Sequence, residues 1–123
     1  MITIADATTG GNQGSTHTLY GERLGRTVNY SLDLRNIDTT GLTATNNLYA
    51  QGISRLPRFD VPASTYFTSI DVEATTVQMT AFVDNGGYIR FQESRDNTGA
   101  ATMNVEAVTS GTSDIVISGS YQI

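Results

Sequence analysis

The side chains best suited to chemistry lie between Tyr66 and Phe91, YFTSIDVEATTVQMTAFVDNGGYIRF. Val77, Met79, Ala81 and Val83 alternate with Gln78, Thr80 and Phe82, so the two sets fall on opposite faces of a strand. Asp84-Asn85-Gly86-Gly87 follows, then Tyr88-Ile89-Arg90-Phe91-Gln92 alternates again. Asn-Gly and Gly-Gly suit a tight hairpin, whose central residues need positive φ. The hairpin turns Phe82, Tyr88 and Arg90 outward, with Gln78 and Gln92 beside them. An aromatic face stacks on a sugar ring, and planar amides bond its hydroxyls. Arginine adds bidentate bonds to a phosphate or carboxylate on a glycan. The same residues could instead pack against a neighbouring strand or subunit, with Arg90 simply solvated. Arg55, Arg58, Glu93 and Arg95, near loops, read as surface charges.

Other chemistries find less in this chain. The only histidine, His17, stands in a weakly patterned segment, and nothing around it resembles a nucleophile elbow or an oxyanion loop. Asp71 and Glu73 lie two apart on one strand face, whereas glycosidase acids face each other across a substrate. Asp96 and Asn97 before Gly99 lack the spacing of a calcium loop. No cysteine is present, which excludes disulfides and thiolate zinc sites. The reading is of a protein that is not an enzyme, with no metal and no cofactor.

These side chains need strands to hold them, and the composition favours strands. Thr, Ser, Gly and Asn are abundant, prolines occur only at Pro57 and Pro62, and charged residues make up 15%. At 123 residues the chain fits one domain with a modest core. The net charge is −5, and all basic residues are arginine, which argues against nucleic-acid binding through a basic patch. No apolar run is long enough to insert in a membrane, and Met1 to Asp6 lacks the features of a signal peptide.

Residues 1–27 are the least patterned and read as a connector or a loosely attached arm: Ile2 and Ile4 could begin a strand, His17 to Leu24 could hold another, and Thr8 to Ser15 between them has linker composition. A domain of residues 28–123 follows. Val28, Tyr30, Leu32 and Leu34 mark a half-buried strand, and Leu48 to Ile53 a strand interrupted by Gly52. Pro57 and Pro62 predict an extended crossing rather than a central strand. Ser94 to Ala101 reads as a loop, Thr102 to Val108 as an alternating strand, and Ile115 to Ile123 as the last. Seven or so short strands fit an all-β sandwich or small barrel. Inward positions are mostly Val, Ile, Met and Ala, so the core is expected to be thin and completed between chains.

With these residues laid out, the chain resembles the head domain of receptor-binding proteins from lactococcal tailed phages. Three features carry the resemblance across about residues 28–123: Leu56-Pro57-Arg58-Phe59-Asp60-Val61-Pro62, the Asn85-Gly86 hairpin with Ile89-Arg90-Phe91, and the ending Gly119-Ser120-Tyr121-Gln122-Ile123. The resemblance implies a six- to seven-stranded antiparallel barrel or sandwich assembled as a homotrimer at a virion tail tip or baseplate, joined to upstream tail proteins. It implies recognition of a cell-wall polysaccharide on a Gram-positive host, at or near the crevices between subunits. Thr80 and Phe82 occupy outward positions where that family carries site residues, and Phe91 stands at its aromatic position. Val116 stands where an arginine would be expected, so Arg90 is the candidate for the anion-facing role. The alternatives are a structural virion component that binds protein instead of sugar and, further off, a polysaccharide-processing enzyme.

Overall fold

The computed structural model of the chain describes residues 1–6, 13–71, 76–95 and 100–123. Its most regular strand is the one whose sequence alternates most strictly, TVNYSLDL. There Val28, Tyr30, Leu32 and Leu34 are buried, and Asn29, Ser31 and Asp33 face solvent. The described residues form ten strands: β1 (Ile2–Ala5), β2 (Gln13–His17), β3 (Leu19–Leu24), β4 (Thr27–Leu34), β5 (Tyr49–Gln51), β6 (Val61–Thr68), β7 (Thr76–Val83), β8 (Ile89–Arg95), β9 (Ala100–Thr102) and β10 (Asp114–Gln122). All their pairings are antiparallel.

The sheet order is β2-β1-β5-β8-β7-β6-β10-β4-β3, with β9 branching from β8. The outermost strands, β2 and β3, are separated in sequence only by Thr18. One run of chain therefore pairs with β1 through its first half and with β4 through its second. That is possible only if the sheet curls round on itself, and the result is an all-β, nearly closed barrel. A second transfer occurs in β6. Val61, Pro62 and Ala63 pair with β7, and Ser64 to Thr68 pair with β10. Pro62 is thus tolerated in a strand that is central in the order, because at that point β6 has a partner on one flank only.

The core packs inward residues of both halves. Ile2, Ile4, Leu32, Leu34, Leu48, Ile89, Phe91, Met103, Ile115 and Ile117 are all fully buried. Tyr30 and Tyr121 join them, their rings 5.8 Å apart. Tyr30 lies across from Gly119, where a Cβ would stand 3.1 Å from its hydroxyl. Burial pushes the Tyr30 phenol up to about 12.

Several expectations change. Ten strands replace six to seven, because residues 1–27 hold three and the three-residue β9 shows no readable period. Within residues 1–27, β1 takes in Ile2 and Ile4 and β3 falls within His17 to Leu24, where strands could be read; β2 lies between them, and β3 pairs with β4 around the turn at Gly25-Arg26. Each fully buried isoleucine stabilises by about 1.5–3 kcal/mol, so Ile2 and Ile4 hold β1 firmly in the barrel. The core is fuller than expected, with a phenylalanine and three tyrosines among its buried side chains. Thr102 to Val108 is not a continuous strand. After β9 the chain makes a 3-10 turn at Val105–Ala107, which buries Val105 and Ala107. Residues 7–12, which include most of the Thr8 to Ser15 linker, lie outside the described residues.

Candidate functional site

The β7–β8 hairpin forms as its alternation predicts, with Val83 opposite Ile89. Its turn differs from a two-residue loop. The Asp84 N–H donates to the Tyr88 carbonyl at 2.8 Å, and the Gly87 N–H donates to the Asp84 carbonyl at 3.0 Å. In this three-residue loop the positive φ falls on Gly87, at 86°, instead of on Asn85 and Gly86. Asp84 Oδ1 accepts the N–H groups of Gly86 and Tyr88, both at 2.9 Å. Aspartate at the first position of a turn is a sequence signal for this bonding, and it was open to reading.

The other Asp84 oxygen accepts from Arg90 Nε at 2.9 Å. The guanidinium carbon of Arg90 lies 5.0 Å from the Tyr88 ring centre and 5.4 Å from that of Tyr49. The two tyrosines meet edge to face at 5.4 Å. Asp84, Arg90, Tyr88 and Tyr49 therefore form one locked cluster, stabilised by charge, hydrogen bonding and cation–π attraction together. The guanidinium expected to face an anion is thus already paired through its Nε with Asp84. Tyr49, on the short β5, had no sequence signal pointing to it.

Pairing registers place the remaining candidates. Pro62, Phe82, Arg90 and Tyr49 form one row across β6, β7, β8 and β5. Thr80, Gln92 and Thr102 form the next, and Gln78 with Ser94 the one after. Six of the seven expected residues thus share the outer face of the hairpin: Gln78, Thr80, Phe82, Tyr88, Arg90 and Gln92. Phe91 does not. It points inward and is fully buried, because its register matches Ala81 of the core, so its ring is not accessible to a ligand. Glu93, expected as a surface charge, is also buried. At the hairpin tip, Tyr88 borders an open hollow of about 340 Å³ shared with Thr3, Gln51, Gly86 and Gly87.

His17 lies in β2, half-buried, with Nε2 2.8 Å from Ser15 Oγ. Ser15 Oγ also accepts the Asp38 N–H at 3.0 Å, and Asp33, whose charge reaches His17, bonds Arg35 Nε at 2.6 Å. Arg55 and Arg58 are exposed, Arg58 lying 5.7 Å from the Phe59 ring centre. Among the described residues no group of three or more His, Asp or Glu side chains could hold a metal ion. Glu73, the partner considered for Asp71, lies outside the described residues, as do Asp96, Asn97 and the Arg95 side chain.

The hairpin face can therefore offer a ring edge, amides and hydroxyls, with its one guanidinium internally neutralised. The chain matches no family model, no curated protein and no solved structure, so the reading of this face rests on its own chemistry.

Proposed function

We propose that the chain is a phage receptor-binding head of the adhesin type, which recognises a host cell-wall saccharide as a homotrimer at a virion tail tip or baseplate. The observation that carries the saccharide reading is the outer face of β7 and β8. Gln78, Thr80, Gln92, Ser94 and Thr102 make an uncharged hydrogen-bonding ladder that ends at Phe82 and the locked Tyr88–Arg90–Tyr49 cluster. A preorganised aromatic beside neutral polar groups suits a sugar, because little side-chain entropy is lost on binding. Matching of Arg90 by Asp84 favours a saccharide with no net charge at this face. The phage assignment draws on the sequence features at Leu56–Pro62, Asn85-Gly86 and Gly119–Ile123, although ten strands exceed the six to seven of that resemblance.

Trimer formation draws support from the opposite side of the barrel. Tyr20, Ser31, Ser118 and Ser64 form one row across β3, β4, β10 and β6, and Tyr66 and Val116 pair beside it. Tyr20 and Tyr66 are exposed at the two margins of a central row of serines, with Asp33 bordering it in the Val116 row and Glu22 in the Asn29–Ser120 row. Tyrosines beside small neutral side chains, with charges at the rim, suit an interface. Three weak sugar sites on one particle gain strongly from simultaneous binding.

The test is binding to intact lactococcal cells, competed with wall polysaccharide, for the native chain and for Phe82→Ala and Gln92→Ala. Each substitution is expected to weaken binding of a monovalent oligosaccharide by about tenfold, equivalent to ~1.4 kcal/mol. Unchanged binding by both variants would remove the hairpin face as the site. A chain that ignores cells but binds purified tails or capsids would point to the structural virion reading.

A further inference from the structure

The barrel is open at one place. β3 ends the sheet order, and above Leu19 the chain has crossed to β2 and β1, so the lower part of β3 has a strand partner on one side only. Leu19, Gly21 and Arg23 take inner register positions, opposite Leu32, Tyr30 and Val28. Yet Gly21 and Arg23 are exposed, because the wall is incomplete beside them. The segment from Ile53 to Arg55 lies across the gap, held there by the Tyr121 hydroxyl donating to the Arg55 carbonyl at 2.7 Å. Between strand and segment is a cavity of about 210 Å³, walled by Leu19, Val28, Ile53 and Tyr121, with Arg23 and Arg55 also lining it.

We propose that this slot is a second binding site, which takes a small amphipathic anion: an apolar ring or short alkyl body carrying one carboxylate or phosphate group. The volume supports the body, since an apolar cavity of ~150 Å³ accommodates benzene. The walls supply aliphatic and aromatic contact, and the Tyr121 hydroxyl, occupied by a backbone carbonyl, leaves its ring as a face. The charge supports the head group. In a chain of net charge −5, two arginines converge on one opening, against the single carboxylate of Glu22 at the same rim. Arg23 is held in place by its own Nε, which donates to the Gly25 carbonyl at 2.7 Å. A guanidinium so placed can bond a carboxylate or phosphate through its remaining N–H groups. Arg55 also acts electrostatically on the Tyr121 phenol, which places its charge over the same wall. The slot is distinct from the hairpin face and does not depend on the saccharide reading.

Gly21 provides the decisive control. A Cβ there would meet the Asn29 carbonyl at 3.5 Å and Tyr30 Cβ at 4.0 Å, ordinary contacts, so Gly21→Val fills the slot without straining β3. The experiment is calorimetric titration of the intact chain with phenylacetate, phenyl phosphate and neutral 2-phenylethanol. At least one anion is expected to bind saturably and at least about tenfold more tightly than the alcohol. Arg23→Ala and Arg55→Ala are each expected to weaken it by about fivefold or more, and Gly21→Val to abolish it while the melting temperature holds. Preference for phenyl phosphate would assign a phosphate ligand, and preference for phenylacetate a carboxylate. Failure of both anions to saturate, equal binding of the alcohol, or undiminished binding by a folded Gly21→Val variant would each overturn the proposal.

Discussion

At the scale of single residues, His17 is the group that ties stability to pH near neutrality. Burial lowers its pKa from the usual 6.5, and the charge of Asp33 opposes this more weakly. The unfolded chain then binds a proton more readily than the folded one, so acidification favours unfolding. The penalty is absent above the unfolded pKa of about 6.5, and grows as the pH falls until the folded pKa is passed. Asp38 and Asp114 act in the same direction, but at lower pH. Hydrogen bonds, chiefly from Thr40 to Asp38 and from the Asn36 N–H to Asp114, hold both carboxyls below their usual range. Their stabilisation is present above the normal carboxylate range and is lost only as the pH falls through their lowered folded values. Between about pH 7.5 and about pH 5.5 the native melting temperature should therefore drop, and that of His17→Gln should drop less. Thermal melts at the two pH values check this, and parallel declines would show that His17 is not the source.

At the scale of elements, the hairpin shows both how much the sequence revealed and where it fell silent. Strict alternation in Thr27–Leu34, Thr76–Val83 and Ile89–Arg95 was enough to place three strands and to divide their faces. It separated Gln78, Thr80 and Phe82 from the core side of β7. Phe91 was misplaced because family likeness was set above the period, which already put it on the same face as Ile89. The turn was legible as a turn but not as a type, since Asn85-Gly86-Gly87 can position its left-handed residue at more than one glycine. Tyr49 falls in the strand expected over Leu48 to Ile53, but nothing marks it as a site residue, because its partners are distant in sequence. The turn geometry makes a prediction of its own. At Gly87, φ is 86°, and a Cβ would stand 2.7 Å from a Leu56 methyl and 2.8 Å from the Ile53 carbonyl. Gly87→Ala should therefore destabilise by about 1–3 kcal/mol. Gly86→Ala, whose nearest contacts are 3.3 Å and beyond, should cost less in the same denaturant titration.

At the scale of the whole molecule, the barrel presents three different surfaces: the polar hairpin face, the tyrosine-edged serine face and the slot. The serine face is the one to break if chains associate. Ser118 is exposed at its middle, flanked by Ser31 and Ser64 in its own row. Ser118→Arg places a long side chain in the middle of that face, one row from Asp33, and should convert trimers to monomers by light scattering. As an exposed position, it should change the monomer's own stability by no more than about 0.5 kcal/mol. Retention of a trimer would relocate the interface.

The position of β10 has a consequence for how the chain is made. The strand β10 joins β4 to β6, so until Asp114 to Gln122 are made the two halves of the barrel are linked only through the β2–β3 run. The N-terminal hairpins form from neighbouring residues, but β4 and β6 each await a common partner with bare edges and part-exposed apolar faces. On a ribosome, that interval favours contact with other nascent chains. The polar Ser, Thr and Asn side chains along the outward faces of β4 and β6 make those waiting edges less adhesive, so the composition that shapes the finished surface also protects the unfinished one.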